Sequence, residues 1–208
     1  MLRRYPLPPG IGDAGFRARS LGESHPPPWP EDEVARADQV HGSRVATVAG
    51  PGSVRGYDAL VTRAPGVRLT VRSADCLPVL LADADAVGVV HAGWRGLRAG
   101  VLEEAAGSFE VPRLLWAVVG PAIGPCCFEV GDEVAREFPA STLRTAGRLH
   151  VDLVAEARRR LTAAGVPGDR IATGAPCTRC HQNVLPSHRG SGGSGERLTL
   201  FAVRAATG

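Results

Sequence analysis

The chain of 208 residues is about the size of one domain, and with 44% hydrophobic residues it has enough apolar surface for a core and is not expected to be disordered. Its 24 basic and 21 acidic residues leave a formal net charge of +3, too weak a field to argue for nucleic acid or a membrane surface as partner. All 24 basic residues are arginine, which excludes Schiff-base and P-loop lysine chemistry.

In chain order, residues 1–38 are weakly patterned, and the prolines at 26, 27, 28 and 30 make residues 22–32 a stiff loop. No apolar run of signal-peptide length follows the N-terminus and no stretch is long enough to span a membrane, so a cytoplasmic protein is expected. Residues 45–48 read as a short strand closed by a turn at Gly50, Pro51 and Gly52, and 57–62 as a second. Residues 67–73 alternate Val67, Leu69 and Val71 with Arg68, Thr70 and Arg72, the period of a half-exposed strand. Residues 77–81 and 87–90 are continuous apolar runs, read as two buried strands joined by a tight turn. A helix is expected over 97–106, a buried strand over 114–119, and helices over 129–138 and 151–164. In the last of these, Val151, Val154, Ala155, Arg158 and Leu161 mark one face. A final strand covers 198–203, after a glycine-rich flexible loop at 190–195. Strands and helices mix without strict alternation, which makes the fold α+β, with residues 1–208 as a single compact domain.

Five cysteines, an odd number in a reducing compartment, point to chemistry, metal or packing and not to a disulfide framework. Pairing the two buried strands antiparallel, with Asp83 and Ala84 as turn residues, sets Cys76 directly opposite His91. Opposed Cβ atoms lie about 4.5–5.5 Å apart, a gap a thiolate and an imidazole can share across one zinc. His41, before a strand and beside Gly42, is the candidate third ligand. Three protein ligands leave a fourth position for water or substrate. After His91, the glycines of Gly93-Trp94-Arg95-Gly96 and the cation of Arg95 offer a place for an oxyanion.

Gln39-Val40-His41-Gly42, Ala74-Asp75-Cys76-Leu77-Pro78, His91-Ala92-Gly93-Trp94-Arg95-Gly96, and Gly120-Pro121-Ala122-Ile123-Gly124 with Phe128-Glu129-Val130 together resemble the YfiH-type laccase-domain family. Cys177-Thr178 and Ser187-His188-Arg189 continue the likeness, which covers about residues 38–204. The resemblance implies an α+β fold with mixed sheets sandwiched by helices. It implies a zinc held by His41, Cys76 and His91. It also implies a purine nucleoside phosphorylase that cleaves adenosine, inosine and methylthioadenosine with phosphate and has adenosine deaminase activity. Older labels for such proteins are polyphenol oxidase or laccase, and some bacterial members are linked to peptidoglycan editing. The family's early Arg-Gly-Gly is at best echoed by residues 16–19, and its later Ser-aromatic-Arg-Arg stands here as Ser187-His188-Arg189-Gly190.

In this reading Asp75 is a proton acceptor or the orienter of a ligand histidine, while Arg95, Gln39 and Arg189 lie on the substrate and phosphate side. Ser187, His188 and Arg189 form a lid hinged on the glycine-rich loop. The expected partners are small molecules, a purine nucleoside and phosphate, with no nucleic acid and no membrane. A multicopper oxidase needs about ten histidines for its copper sites, and this chain has six. Copper is still able to occupy the Cys/His/His site in vitro.

Two alternatives belong to other classes. One is a metal-free Cys76/His91 hydrolase, an amidase trimming peptidoglycan precursors, which needs a thiol acidified by an imidazolium. The other is a binding or redox module on Cys177 and Cys180. Cys177-x-x-Cys180-His181 is formally a haem-attachment pattern, and no second Cys-x-x-Cys completes a zinc knuckle. Adjacent Cys126 and Cys127 are taken as core packing. His25 and His150 have no visible partners.

Overall fold

The structure is a computed structural model and describes residues 11–17, 29–193 and 195–205. His25, the prolines at 26–28 and Ser194 of the glycine-rich loop lie outside the described residues. The elements are β1 (Ile11–Arg17), β2 (Val34–Ala37), β3 (Val45–Thr47), β4 (Gly52–Val54), β5 (Ala59–Thr62), β6 (Arg68–Ser73), β7 (Leu77–Ala82) and β8 (Val87–Ala92). Then come α1 (Trp94–Arg98), α2 (Val101–Gly107), β9 (Trp116–Val119), β10 (Glu129–Val130), α3 (Asp132–Ala135), β11 (Thr142–Thr145) and β12 (Arg148–Val151). The chain closes with α4 (Leu153–Ala163), β13 (Ile171–Ala172), α5 (His188–Ser191) and β14 (Leu198–Arg204). Among the described residues no helix is long and apolar enough to cross a membrane.

The expected α+β class with mixed sheets is what the chain adopts. A six-stranded sheet runs β13-β9-β7-β8-β5-β3 and a five-stranded sheet runs β1-β14-β6-β2-β4, each with parallel and antiparallel neighbours. A small antiparallel sheet, β10-β12-β11, stands apart from them. In β7, Leu77, Val79 and Leu81 join the core that contains α2 and α4, and Leu80 and Ala82 join the core shared with Leu69, Val71, Leu198 and Leu200 of the five-stranded sheet. A strand covered on both faces favours apolar residues on both, which is why 77–81 and 87–90 read as unbroken runs. Each such side chain contributes about 1.5–3 kcal/mol by leaving water.

The hairpin register differs from the expected one. Asp83 accepts hydrogen bonds from the backbone N–H of Asp85 (2.9 Å) and of Ala86 (2.8 Å), so the connection takes four residues and not two. Pro78, not Cys76, therefore lies opposite His91, and Leu77 lies opposite Ala92. The shift is by two residues, so the parity of the pleat survives and Cys76 stays on the face of His91, one step diagonal to it.

Other expectations fail where tertiary contacts outweigh local pattern. β6 is central in its sheet, so Thr70 is buried along with Leu69 and Val71. The helix expected over 97–106 is two helices broken at Gly100, whose φ is +89°. Of 129–138, the first two residues pair as β10 and only 132–135 are helical. The strand expected from 114 starts at Trp116, which is exposed. Asp152 caps α4 by accepting from the Ala155 N–H at 2.9 Å, which leaves Val151 to β12. The buried face of α4 is Leu153, Glu156, Ala157 and Leu161, not the apolar face read from the sequence. Glu156 goes inside because Arg159, Arg160 and Ser141 all hydrogen-bond to its carboxylate. Burial alone would raise its pKa, but those partners hold it below the usual carboxylate value.

Gly100 gives a clean test of the helix break. A Cβ there would touch nothing closer than Glu103 Oε2 at 3.8 Å, so any cost comes from the left-handed backbone and not from crowding. Gly100→Ala is expected to destabilise by about 1–2 kcal/mol in chemical denaturation.

Candidate metal centre and its cavity

Three segments meet at the end of the six-stranded sheet. His41 comes from the loop between β2 and β3, Cys76 from the turn entering β7, and His91 from within β8. One potential ligand atom from each lies within 4.8 Å of the other two. The His41 and His91 rings meet edge to face with centroids 4.8 Å apart. Gly93 stands level with Cys76, and a Cβ on it would come to 2.9 Å from Cys76 Sγ and 3.2 Å from His41 Cδ2. A side chain at 93 would push the thiol out of the cluster.

The group that assembles this site is one the sequence reading missed. Asp58 is fully buried between Tyr57 and β5. Its carboxylate accepts from the backbone N–H of Val40 (3.2 Å), His41 (2.9 Å) and Gly42 (2.7 Å), and from His91 Nδ1 (2.9 Å). Bonding of Nδ1 to Asp58 leaves Nε2 of His91 as the nitrogen available to a metal, the usual carboxylate–histidine–metal relay. The orienting role expected of Asp75 therefore belongs to Asp58. The only sequence signal was an aspartate directly before an apolar strand, where a buried charge needs several partners.

The site's electrostatics follow from these contacts. Burial by itself would raise the pKa of Asp58, but the His91 hydrogen bond and charge and the N–H groups of Gly42 and His41 hold it below the usual carboxylate value. Burial would lower that of His91, yet Asp58 and Cys76 raise it to about 9. Burial would raise that of Cys76, yet His41 and His91 bring it down to about 7. A thiol that ionises near neutrality beside two imidazoles is a donor set suited to zinc. The three residues fit the metal that the resemblance implies.

A cavity of about 350 Å³ opens on this cluster, within the range of small-molecule sites. His41, Cys76 and His91 line it together with Gln39, Arg72, His188 and Arg197. The Gln39 side chain is engaged with the backbone of Arg72, accepting from its N–H at 2.8 Å and donating to its carbonyl. Arg95 is exposed, its guanidinium 4.4 Å above the Trp94 ring, and it is not among the cavity-lining residues. The arginines that line the cavity are Arg72 and Arg197, neither of which was singled out from the sequence as a site residue.

Asp75 and Arg189 are found together at the edge of the site. Asp75 accepts from Thr178 Oγ1 (2.6 Å) and from the Arg189 backbone N–H (2.7 Å). The Arg189 guanidinium donates to the Glu129 carbonyl at 3.1 Å and lies over Phe128. Of the expected Ser-His-Arg lid, Ser187 is buried and caps α5 by accepting from the Gly190 N–H, and His188 alone lines the cavity. The segment is tied to Asp75 and Glu129 through Arg189. Of the two cysteines expected in the core, Cys127 is half-buried and packs against it while Cys126 is exposed, and both stand beside Cys177 and Cys180.

Asp58→Asn keeps the shape but loses the charge. It is expected to weaken zinc affinity by about 10–100-fold, measured by chelator competition. A depressed carboxylate pKa stabilises the fold above its unfolded value, near 4, and that contribution is lost as pH falls through the folded value. The Tm gap between metal-free wild type and Asp58→Asn is therefore expected to close as pH drops below about 4.

Comparison with known proteins agrees with this fold. The family model described as multi-copper polyphenol oxidoreductase laccase matches residues 24–204. The chain is 34% identical over 194 residues to adenosine deaminase RL5 from an unknown prokaryotic organism, covering 81% of this chain and 74% of that protein. It is 40% identical over 179 residues to a purine nucleoside phosphorylase of Xylella fastidiosa, covering 81% of this chain and 67% of the other. The crystal structure of YlmD from Geobacillus stearothermophilus superposes with a TM-score of 0.87 at 25% identity, covering 99% of both chains. With a family model spanning most of its length and YfiH and YlmD proteins among its relatives, this chain belongs to the YfiH-type multi-copper polyphenol oxidoreductase laccase family.

Proposed function

We infer that the protein is a zinc-dependent purine nucleoside phosphorylase acting on adenosine, inosine and methylthioadenosine, with adenosine deaminase activity. The observation that carries this is the His41, Cys76 and His91 cluster lining a cavity together with Arg72, Arg197 and His188. The names carried by the relatives, phosphorylase and adenosine deaminase, support the same substrate class. His41, Cys76 and His91 would hold the zinc, and when bound it would supply Lewis-acid polarisation and water activation.

The chain's own groups divide the remaining work. Arg72 and Arg197 offset the charge of a phosphate that attacks the ribose C1′ as the purine departs. His188 is placed to exchange a proton with a group in the cavity. Asp58 keeps His91 in one tautomer. Asp75, with both carboxylate oxygens engaged, is a positioning residue that holds the Thr178 and Arg189 segments against the turn carrying Cys76. For deamination, a zinc held by His41, Cys76 and His91 would supply an activated water, and the purine C6 amino group would leave as ammonia.

A second reading has its own observation. Cys76, His91 and Asp58 form a nucleophile–base–orienter series, and the thiol is acidified to about 7. That is the chemistry of a metal-free hydrolase. A nucleoside panel with and without phosphate, on zinc-loaded and chelator-treated protein, decides between them. The phosphorylase predicts phosphate-dependent release of base, abolished by Cys76→Ala and by chelation. Arg72→Ala is expected to raise the phosphate KM by about tenfold or more. Activity that survives complete zinc removal would transfer the assignment to the hydrolase.

A further inference from the structure

The four cysteines outside the cavity are drawn from two segments about fifty residues apart, and the fold brings all four sulfurs within 4.8 Å of one another. Cys180 Sγ lies 3.6 Å from Cys126 Sγ and 3.5 Å from Cys127 Sγ. These separations are too long for a disulfide, in which the sulfurs are about 2.05 Å apart. They are close to the edge of about 3.8 Å that a tetrahedron of sulfurs has when each is about 2.3 Å from a central zinc.

We propose that Cys126, Cys127, Cys177 and Cys180 form a second, structural zinc site with four thiolate ligands, separate from the cavity. The backbone is arranged for a thiolate at Cys177. The Gly124 N–H donates to its Sγ at 3.2 Å. A peptide donor on a sulfur stabilises its negative form, and the Cys177-x-x-Cys180 turn is one half of a zinc knuckle. The other half is the turn in which the Cys127 and Phe128 N–H groups both donate to the Gly124 carbonyl. A Cβ at Gly124 would sit 3.3 Å from Cys177 Cβ and 3.4 Å from Cys126 Sγ, so the glycine lets the two turns approach. With four protein ligands the site has no open position, which marks it as structural and not catalytic. An all-sulfur tetrahedron selects zinc or iron over the harder cations.

Its consequence for the fold is also visible. The Thr178 N–H donates to the Ala122 carbonyl, Thr178 Oγ1 donates to Asp75, and the Ile123 N–H donates to the Asp75 carbonyl. Closing the two cysteine turns on one ion therefore clamps both segments that hold Asp75, the residue before Cys76. It also fixes the chain that leads on to His188.

Elemental analysis of the purified protein tests this separately from the cavity metal. About two zinc per chain are expected in wild type, one in Cys76→Ala, one in Cys180→Ser and none in the double variant. Zinc content in Cys180→Ser equal to wild type overturns the proposal. So does iron in place of the second zinc. A wild-type protein with one zinc that survives Cys76→Ala but not Cys180→Ser supports this site and sinks the cavity metal instead. Should Cys180→Ser fail to fold, Cys76→Ala loaded with cobalt(II) gives an independent readout. A strong thiolate-to-cobalt charge-transfer band is expected. Its absence, with four thiols alkylated at once in the native protein or a disulfide found by mass, rules the site out.

Discussion

One buried carboxylate organises the candidate site. Asp58 has no exposure to water, and a charge so placed is tolerable only with several donors around it. Three of those donors are consecutive peptide N–H groups, of Val40, His41 and Gly42, and the fourth is the His91 ring. Its main chain takes part as well: the His91 N–H donates to the Asp58 carbonyl at 2.8 Å, and the Asp58 N–H donates to that of Arg44. The loop from β2, the strand β5 and the strand β8 are thus locked to one another at a single residue. His41 and His91 have no sequence proximity, and Asp58 is the reason their rings share an edge.

That lock holds backbone strain. Gln39 and His41 have φ of 59° and 62°, and Asp75 has φ of 87°, a region that costs a residue with a side chain of order 1–3 kcal/mol. At Gln39 the side chain bonds the Arg72 backbone. At His41 the peptide N–H is held by Asp58. At Asp75 the carboxylate is held by Thr178 and Arg189, and the carbonyl by Ile123. Every strained residue near the metal cluster is tied to a different part of the chain. The ligands are therefore preorganised by the whole fold and not by their own loops.

The layered core supplies the rigidity behind this. β7 and β8 are covered on both faces, and they deliver Cys76 and His91 from the same end of one hairpin. The five-stranded sheet contributes the Arg72 side of the cavity from the end of β6, and Arg197 stands one residue before β14. The cavity is lined by Arg72 in β6, by Arg197 just before the neighbouring β14, and by Cys76 and His91 from the other large sheet's central hairpin, with His41 from the loop that passes from one sheet to the other.

What the sequence determined by itself was local or periodic. Unbroken apolar runs identified the two central strands, because strands covered on both faces admit no polar alternation. The parity of their pleat put Cys76 and His91 on one face, a conclusion that survived a turn two residues longer than expected. The order of the His41, Cys76 and His91 motifs identified the family and pointed to the Cys/His cluster that could hold a metal. What only the tertiary structure decided was which polar residues went inside and which distant turns met. Asp58 and Glu156 look like surface residues in sequence, since nothing local reveals that four donors converge on one and two arginines and a serine on the other. The apolar face of α4 was misjudged for that reason. Arg95 stood beside a ligand motif yet turned onto Trp94, while Arg72 and Arg197 reached the cavity because of strand order, which no single segment encodes. The four outer cysteines came together in the same way: two turns about fifty residues apart meet because Ala122 bridges to Cys177, a pairing fixed by packing and not by spacing.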